Sequence, residues 1–331
     1  MTLLPDIMWV NIAVLAACFY ALARGANLLV DGSVGIAFRL HIPKVIIGIV
    51  LVSFGTTMPE FTVSVISALQ DHSEIALGNA VGSVIVNVAI ALALGVLLAP
   101  KILELDRSVY RTVGLIFLFA AIVTFFLAID GIVGRIEGGI LIFLLCAYLI
   151  YLLVTEKRRY SREFEREAVE ELSDHPTEGS LGKFVLLFAL GLGVVIVASR
   201  LLVESAVNIA ERLAISETIV GLTIIAIGTS LPEVATAIVA TRKGHGDLAF
   251  GDVMGANILN LLWIVGGASL ARPIEVTQTE IFFMFPSMVG VVGLMFLLAR
   301  FGYMLNKWKS AILVLSYVVY VILTIVIFVP T

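Results

Sequence analysis

Apolar blocks long enough to cross a lipid bilayer as helices alternate along this chain with short charged segments. Ten such blocks lie at 8–30, 42–69, 75–98, 110–129, 132–154, 184–210, 215–241, 247–270, 280–299 and 309–329. About 20 apolar residues in a helix span the roughly 30 Å of hydrocarbon in a bilayer. Because hydrophobic residues make up 60% of the 331 residues and charged residues only 14%, a soluble globule could not cover its surface with polar groups. The sequence therefore predicts an all-α polytopic membrane protein with ten transmembrane helices.

The first half of the chain is repeated in the second half. A shift of 173 positions aligns 28–100 with 201–273 without a gap, pairing GTTMPE with GTSLPE and GNAVGSVIVN with GDVMGANILN. Because five helices make up each copy, the second copy must enter the membrane from the opposite side. We therefore predict two inverted five-helix repeats, 1–154 and 184–331, joined by a polar linker, 155–183. Inverted repeats are typical of secondary transporters, whose ion site lies where the repeats meet.

Lysine and arginine are distributed unequally between the two sets of alternating loops. Sixteen lie in one set, and only Arg135, Arg212 and Arg272 lie in the other. Positively charged loops tend to stay in the cytoplasm. We therefore expect a multi-pass protein of the cell membrane with both termini outside and the 155–183 linker in the cytoplasm.

Each repeat places a Gly-Thr-x-x-Pro-Glu motif inside an apolar block. The two prolines, Pro59 and Pro232, lack an N–H and crowd the carbonyl of the glycine four residues earlier. We therefore expect the second and seventh helices to break there and to release carbonyl groups around 53–56 and 226–229. Backbone of this kind is tolerated at membrane depth only where it is buried in protein or faces water.

The same motifs place two carboxylates, Glu60 and Glu233, in the middle of apolar blocks. A charge at the bilayer centre costs about 2.5–3.5 kcal/mol even on the scale most favourable to it. Two carboxylates with freed carbonyls and hydroxyls can supply the roughly six to eight oxygen ligands that Ca2+ prefers. Because no His or Cys accompanies them, zinc and copper are disfavoured. The motifs therefore predict one site for a divalent cation between the repeats.

The helix after each motif carries small and amide residues on one face. The matching residues are Asn79, Ser83 and Asn87 in the first repeat and Asp252, Ala256 and Asn260 in the second. Small residues allow helices to pack closely in a membrane. The paired amides Asn87 and Asn260 favour a role at the site, and we expect the third and eighth helices to be broken or kinked there as well.

These motifs resemble those of the calcium/cation antiporter superfamily, and most closely those of its Na+/Ca2+ exchanger branch, in the prokaryotic form without a large regulatory loop. The resemblance covers nearly the whole chain. It implies a secondary active antiporter that exchanges Na+ for Ca2+ by alternating access and has no resident cofactor. It also implies that Glu60 and Glu233 bind Ca2+ together with the carbonyls of Thr56 and Thr229.

The resemblance further implies two sodium sites, which share the oxygens of Glu60 and Glu233 with calcium. One sodium site matches Thr57, Ser83 and the carbonyl of Ser53. The other matches Ser230, the hydroxyl of Thr229 and the carbonyl of Ala226. Asn87 and Asn260 match the polar pair beside the two glutamates.

Three positions depart from the family's pattern. Ala256 stands where the family often has Ser, which removes a hydroxyl from one sodium site. Asn260 stands where potassium-dependent members carry Asp, which argues against potassium co-transport. Asp252 is an acid that the usual pattern lacks, and it is the candidate proton site for the alternative function, a H+/Ca2+ antiporter. Relatives with that function more often carry a G-N-x-x-E motif, which is absent here.

Other classes of function fit the sequence less well. An intramembrane protease is disfavoured because the chain has no HExxH motif and no nucleophile placed with a base. We therefore expect a protein that is not an enzyme. A channel fits less well than a transporter because inverted repeats suit alternating access. The expected partners are the lipid bilayer and inorganic cations, without nucleic acid and without an obligate protein partner.

Overall fold

The computed structural model describes residues 7–40, 42, 44–152, 179–212, 226–278 and 280–328. Within these ranges the secondary structure is helical apart from two pairs of two-residue strands. Seven of the described helices are long and apolar enough to cross a membrane. An eighth span results if a pair of helices that meet at 45° is counted as one. The fold is that of an all-helical, multi-pass membrane protein.

The elements follow the predicted apolar blocks in order. The helices are α1 (Met8–Leu40), α2 (Lys44–Thr56), α3 (Met58–Leu69), α4 (Ser73–Leu98), α5 (Arg107–Ala128), α6 (Arg135–Tyr151), α7 (Leu181–Arg212), α8 (Ala226–Thr229), α9 (Leu231–Arg242), α10 (Gly246–Ala271), α11 (Glu280–Arg300) and α12 (Lys307–Phe328). The strands are β1 (Leu103–Glu104), β2 (Ile132–Val133), β3 (Ile274–Glu275) and β4 (Met304–Leu305). Shifting the bounds of α3 and α4 by 173 residues gives those of α9 and α10 at both ends.

Two of the predicted spans have no counterpart among the long apolar helices. The fifth block corresponds to α6, which has only 17 residues and ends next to the undescribed residues 153–178. The seventh block begins in 213–225, which also lie outside the described residues. The first block is longer than predicted, because α1 continues to Leu40. Asp31, which lies on α1 beyond the predicted block, forms an ion pair with Lys243, whose Nζ donates to Asp31 Oδ1 at 2.7 Å.

The two strand pairs connect the halves of the chain at opposite ends of α5. β1 precedes α5 and pairs with β4, whereas β2 follows α5 and pairs with β3, both antiparallel. A 22-residue helix such as α5 rises about 33 Å. In the second half β3 lies within two residues of the position that the repeat makes equivalent to β1. It nevertheless pairs with β2, at the other end of α5. β1 and β3 therefore lie at opposite ends of α5.

The Pro-Glu motifs lie where one helix ends and another begins. Thr57 has φ −82° and ψ 3° and separates α2 from α3, and Ser230, with φ −86° and ψ 8°, separates α8 from α9. Pro59 and Pro232 fall in the first turn of the second helix, where a missing N–H costs nothing. α2 and α3 meet at 45°.

α4 and α10, which we expect to be broken or kinked beside the site, run through it without a break. Each runs as a single apolar helix of 26 residues. Its irregularity is a π-helical segment, Asn87–Leu92 in α4 and Asn260–Ile264 in α10, which begins at the predicted asparagine. The physical reason is that neither helix contains a proline, so the backbone widens locally without losing its hydrogen-bonded ladder.

The core of the molecule is built around α4 and α10. In the most apolar 18-residue window of each helix, 78% of residues are buried in α4 and 94% in α10, against 28% in both α1 and α7. The broken helices of each half pack against the long helix of the other, α2 against α10 and α9 against α4. Gly251 and Gly255 permit this approach, since a Cβ there would meet backbone atoms of Val45 and Ile49.

Candidate cation-binding site

Two glutamates lie at the N-terminal turns of α3 and α9, at the centre of this core. Glu60 and Glu233 are both the third residue of their helices, and neither side chain is exposed. The N-terminus of a helix carries a partial positive charge that stabilises a carboxylate. Only one residue separates the preceding helices α2 and α8 from α3 and α9, and the C-terminal carbonyls of a helix carry a partial negative charge. Opposed helix ends of this kind are suited to binding ions.

The two carboxylates differ in their contacts. Ser230 Oγ donates to Glu60 Oε1 at 3.1 Å, so a hydroxyl of the second half contacts the glutamate of the first. Glu60 Oε2 and both carboxylate oxygens of Glu233 have no hydrogen-bond partner within the described ranges. The two side chains are close enough to interact electrostatically. Three buried carboxylate oxygens are therefore left for a ligand.

Two hydrogen bonds cross between the halves in equivalent positions. Thr56 Oγ1 donates to Asp252 Oδ1 at 3.3 Å, and Thr229 Oγ1 donates to Asn79 Oδ1 at 3.1 Å. Each threonine ends a short helix of one half, and each acceptor lies on the long helix of the other. The conserved geometry of the two contacts indicates that the halves close around the site in the same way.

Asn79 has further contacts that its counterpart Asp252 lacks. Asn79 Nδ2 donates to the Glu60 carbonyl at 3.0 Å and to Ser64 Oγ at 2.9 Å, and Ser64 Oγ donates to the Ala76 carbonyl at 2.9 Å. In the second half Ala237 stands at the position of Ser64, and an ionised aspartate has no proton to donate. Asp252 is fully buried, and its Oδ2 has no partner among the described residues.

The residues predicted to bind sodium lie around the break in the first half. Thr57 Oγ1 donates to the Ser53 carbonyl at 2.6 Å, and Ser53 Oγ donates to the Ile49 carbonyl. Both side chains are buried. Ser83 Oγ is buried and finds no partner in the described part of the chain. These hydroxyls keep lone pairs that could face a cation.

The second half supplies fewer hydroxyls at the equivalent positions. Ala226 begins α8, and its backbone, though not its side chain, is described. Ala256 is buried and has only a methyl group where the first half has Ser83. The hydroxyl of Ser230 donates to Glu60, and the hydroxyl of Thr229 donates to Asn79. The linker 155–183 lies outside the described residues except for its last five.

Three buried amide side chains of the long helices lack some or all of their hydrogen-bond partners among the described residues. Neither amide atom of Asn87 has a partner among described residues, and Asn260 Nδ2 donates to the Ala256 carbonyl at 3.0 Å while its Oδ1 is unpaired there. Asn257 is a third such amide, fully buried with both atoms unpaired in the same ranges, and sequence reasoning missed it. In the alignment of the two repeats Asn257 is paired with Val84, so a polar residue that occurs in only one repeat was the available signal.

The arrangement provides many buried oxygens and few charges. Buried polar atoms in native proteins almost always have partners, so a cluster without them points to a ligand. In the described ranges no three Asp, Glu, His or Cys side chains converge as a metal-binding group. Carboxylates can therefore supply only part of a coordination shell, and neutral oxygens must supply the rest. Such a mixed oxygen shell suits Ca2+ or Na+.

Comparison with known proteins decides the family. The family described as sodium/calcium exchanger protein matches residues 10–154 and 183–326. The chain belongs to this family. The matched ranges include both glutamate motifs and both long helices, α4 and α10, so the family's sequence pattern covers every residue of the candidate site.

Individual members of the sodium/calcium exchanger family align over most of the chain. Inner membrane protein YrbG of Escherichia coli (strain K12) is 37% identical over 71% of this chain and 72% of its own length. Sodium/calcium exchanger MaX1 of Methanosarcina acetivorans is 28% identical over 95% of this chain and 98% of its own. The solved structure of the sodium-calcium exchanger NCX_Mj soaked with 2.5 mM Na+ and 0.1 mM Sr2+ superimposes with a TM-score of 0.78 at 25% identity, covering 95% and 98% of the two chains.

Proposed function

We propose that the protein is a secondary active antiporter that exchanges Na+ for Ca2+ across the cell membrane by alternating access. The observation that carries this proposal is the pair of fully buried glutamates, Glu60 and Glu233, with three carboxylate oxygens unpaired among the described residues. A buried carboxylate costs several kcal/mol unless a counter-charge lies beside it. Membership of the sodium/calcium exchanger family, and the similarity to the sodium/calcium exchanger MaX1, support Ca2+ and Na+ as the transported ions.

The ions share one set of oxygens in this proposal. Ca2+ binds Glu60 and Glu233 with the carbonyls of Thr56 and Thr229. One Na+ binds Ser53, Thr57, Ser83 and Glu60, and a second binds Ala226, Thr229, Ser230 and Glu233. Asn87 and Asn260 stand beside them as polar support. Because both ions need the glutamates, bound Na+ excludes Ca2+, and that competition is what couples the two fluxes.

We also propose that the chain forms ten transmembrane helices in two inverted repeats, 1–154 and 184–331, with the 155–183 linker in the cytoplasm and both termini outside. The strand pairs at opposite ends of α5 support the inversion. The pairing of β1 with β4 joins loops that both belong to the lysine- and arginine-rich set, and the pairing of β2 with β3 joins loops of the other set.

Alternating access requires one part of the molecule to move past another. The long helices α1 and α7 pack against each other at the edge of the core, where Gly32 allows the backbone of Phe188 to approach. Only 28% of the residues in their apolar windows are buried, so few contacts oppose their movement. We infer that this pair slides past a core formed by α2, α3, α4, α8, α9 and α10 and opens the site to each side in turn.

The test is uptake of labelled Ca2+ by proteoliposomes under imposed ion gradients. Na+ inside the vesicles is expected to drive Ca2+ inward, and matched K+ or pH gradients are expected to leave uptake at the background level, with the membrane potential clamped. Vesicles carrying the Glu233→Gln variant are the control for leakage. Uptake that persists without any gradient, at the same rate in the variant, would contradict an antiporter.

The alternative function, a H+/Ca2+ antiporter, is favoured by one observation. Asp252 is a third buried acid of the site, it accepts a hydrogen bond from Thr56, and the first half has Asn79 in its place. The Asp252→Asn variant separates the functions, because it keeps the acceptor for Thr56 and removes the acid. Na+-driven uptake retained in this variant supports the sodium proposal. Uptake driven by pH in the wild type and lost in the variant replaces it.

The orientation is testable by cysteine labelling of intact cells. In a background without Cys18 and Cys146, an impermeant thiol reagent is expected to label the Asp71→Cys variant and not the Glu165→Cys variant. Asp71 forms an ion pair with Arg272 on the arginine-poor side, and Glu165 lies in the linker. The reverse labelling pattern would overturn the proposed orientation.

A further inference from the structure

An apolar cleft with a charged end lies between α5 and α11, away from the cation site. Its volume is about 310 Å3, and its lining includes Tyr110, Arg111, Leu118, Ala121, Val289 and Gly293. We call this the α5–α11 cleft. Three of its lining residues contact each other across the two helices: Tyr110 Oη donates to the Phe296 carbonyl at 2.7 Å, and Gly114 accommodates the Phe296 ring.

The length of the cleft matches one leaflet of a bilayer. From Arg111 to Ala121 a helix rises about 15 Å, which is about half of the hydrocarbon thickness. The charged residue lies near the beginning of α5, at the membrane surface, and the apolar residues extend toward the middle. An exposed tryptophan at the same end, Trp308, is typical of the membrane interface. The cleft therefore has the depth and polarity of a site for one acyl chain.

Three guanidinium groups surround the open end. Arg107 and Arg300 both lie over the ring of Tyr303, with Cζ at 4.7 Å and 5.3 Å from its centroid, and Arg111 lines the cleft one turn beyond Arg107. No ion pair within the described residues involves these arginines. Like charges held close together repel each other, and an anion between them relieves that repulsion.

We propose that the α5–α11 cleft binds an anionic glycerophospholipid, with one acyl chain in the cleft and the phosphate on Arg111 beside Arg107 and Arg300. The neighbouring cleft between α5 and α6 is larger, about 420 Å3, and none of its lining residues is charged. That difference is why the headgroup is assigned to the α11 side. The lipid fills the cleft between two helices of different halves and so ties the ends of α5 and α11 together.

Gly293 gives a test that fills the cleft without disturbing the protein. A Cβ at Gly293 would meet nothing within 4 Å, and the same holds for Gly290, which lies on α11 one turn away and does not line the cleft. The Gly293→Leu variant therefore places a side chain where the acyl chain would lie. Gly290→Leu is the matched control, since it makes the same change to the same helix.

The experiment is native mass spectrometry of the detergent-purified full chain titrated with dioleoyl phosphatidylglycerol and, separately, with dioleoyl phosphatidylcholine. The wild type is expected to bind the first phosphatidylglycerol several-fold more tightly than phosphatidylcholine. Arg111→Gln is expected to weaken phosphatidylglycerol binding about five-fold, the effect of one basic residue near a membrane surface. Gly293→Leu is expected to weaken binding of both lipids, and Gly290→Leu neither. Equal affinity for the two lipids in the wild type, unchanged binding in Arg111→Gln or Gly293→Leu, or an equal loss in both glycine variants would each overturn the proposal.

Discussion

The two halves of the cation site use the same motif but are held in different ways. In the first half Asn79 donates to the Glu60 carbonyl and to Ser64, and Ser64 ties α3 to α4. In the second half Asp252 and Ala237 stand in those places, and the carboxylate of Glu233 has no partner among the described residues. The difference teaches that the backbone of Glu60 is tied to α4 through Asn79, whereas no equivalent contact from Asp252 fixes the backbone of Glu233 within the described residues. Both carboxylates lack a cationic partner there.

The largest effect is expected from the glutamates themselves. Glu60→Gln and Glu233→Gln should each lower Ca2+ uptake about 100-fold or more, because loss of a buried charge partner costs roughly 3 kcal/mol. The measurement is labelled Ca2+ uptake under an imposed Na+ gradient, with size-exclusion chromatography as the control for folding. Near-normal uptake in either variant would contradict the proposed site.

The next effect is expected on stability, where exchanging the two residues should destabilise the protein in the first half only. Asn79→Asp removes the donors to the Glu60 carbonyl and Ser64 and adds a buried acid, which should destabilise the protein by about 2–4 kcal/mol. Asp252→Asn keeps the acceptor for Thr56 and removes a buried acid, so it should leave the unfolding temperature unchanged or raise it. Tryptophan fluorescence during thermal unfolding in detergent measures both. An equal loss of stability in the two variants would contradict the proposed difference between the halves.

The smallest effect is expected at the position where one half has lost a hydroxyl. Ser83→Ala should weaken the apparent affinity for Na+, and Ala256→Ser should strengthen it, each by several-fold, which corresponds to about 1 kcal/mol for one hydroxyl ligand. The Na+ dependence of Ca2+ efflux measures both, with Ca2+ affinity as the internal control. If neither variant shifts that dependence, neither residue belongs to a sodium site.

The local features of the site were open to prediction from sequence because they depend on local chemistry. Pro59 and Pro232 cannot continue a helix from the glycine before them, so the breaks and the places of both glutamates follow from the motifs. The gap-free repeat likewise predicts equal helix bounds in the two halves, as α3 and α9 have.

The contacts between neighbouring helices could not be predicted in the same way. The network of Asn79, Ser64 and the Glu60 carbonyl depends on how α4 packs against α3, and no periodicity of the sequence encodes it. The π-helical segments at Asn87 and Asn260 occur in helices without a proline, so the sequence predicts a break or kink there but not its π-helical form. Asn257 was overlooked because the comparison of repeats concentrated on matched residues, and its counterpart is Val84.

The crossed hydrogen bonds, Thr56 to Asp252 and Thr229 to Asn79, have a consequence for how such a protein can originate. A polypeptide with a single repeat could complete them only by pairing with a second copy of itself inserted the other way up. In that homodimer a two-fold axis would make the two contacts identical, and any mutation would change both. Fusion into one chain removes this constraint, since each position then mutates alone. Asn79 and Asp252 are a pair that has diverged, one into a structural amide and the other into an acid.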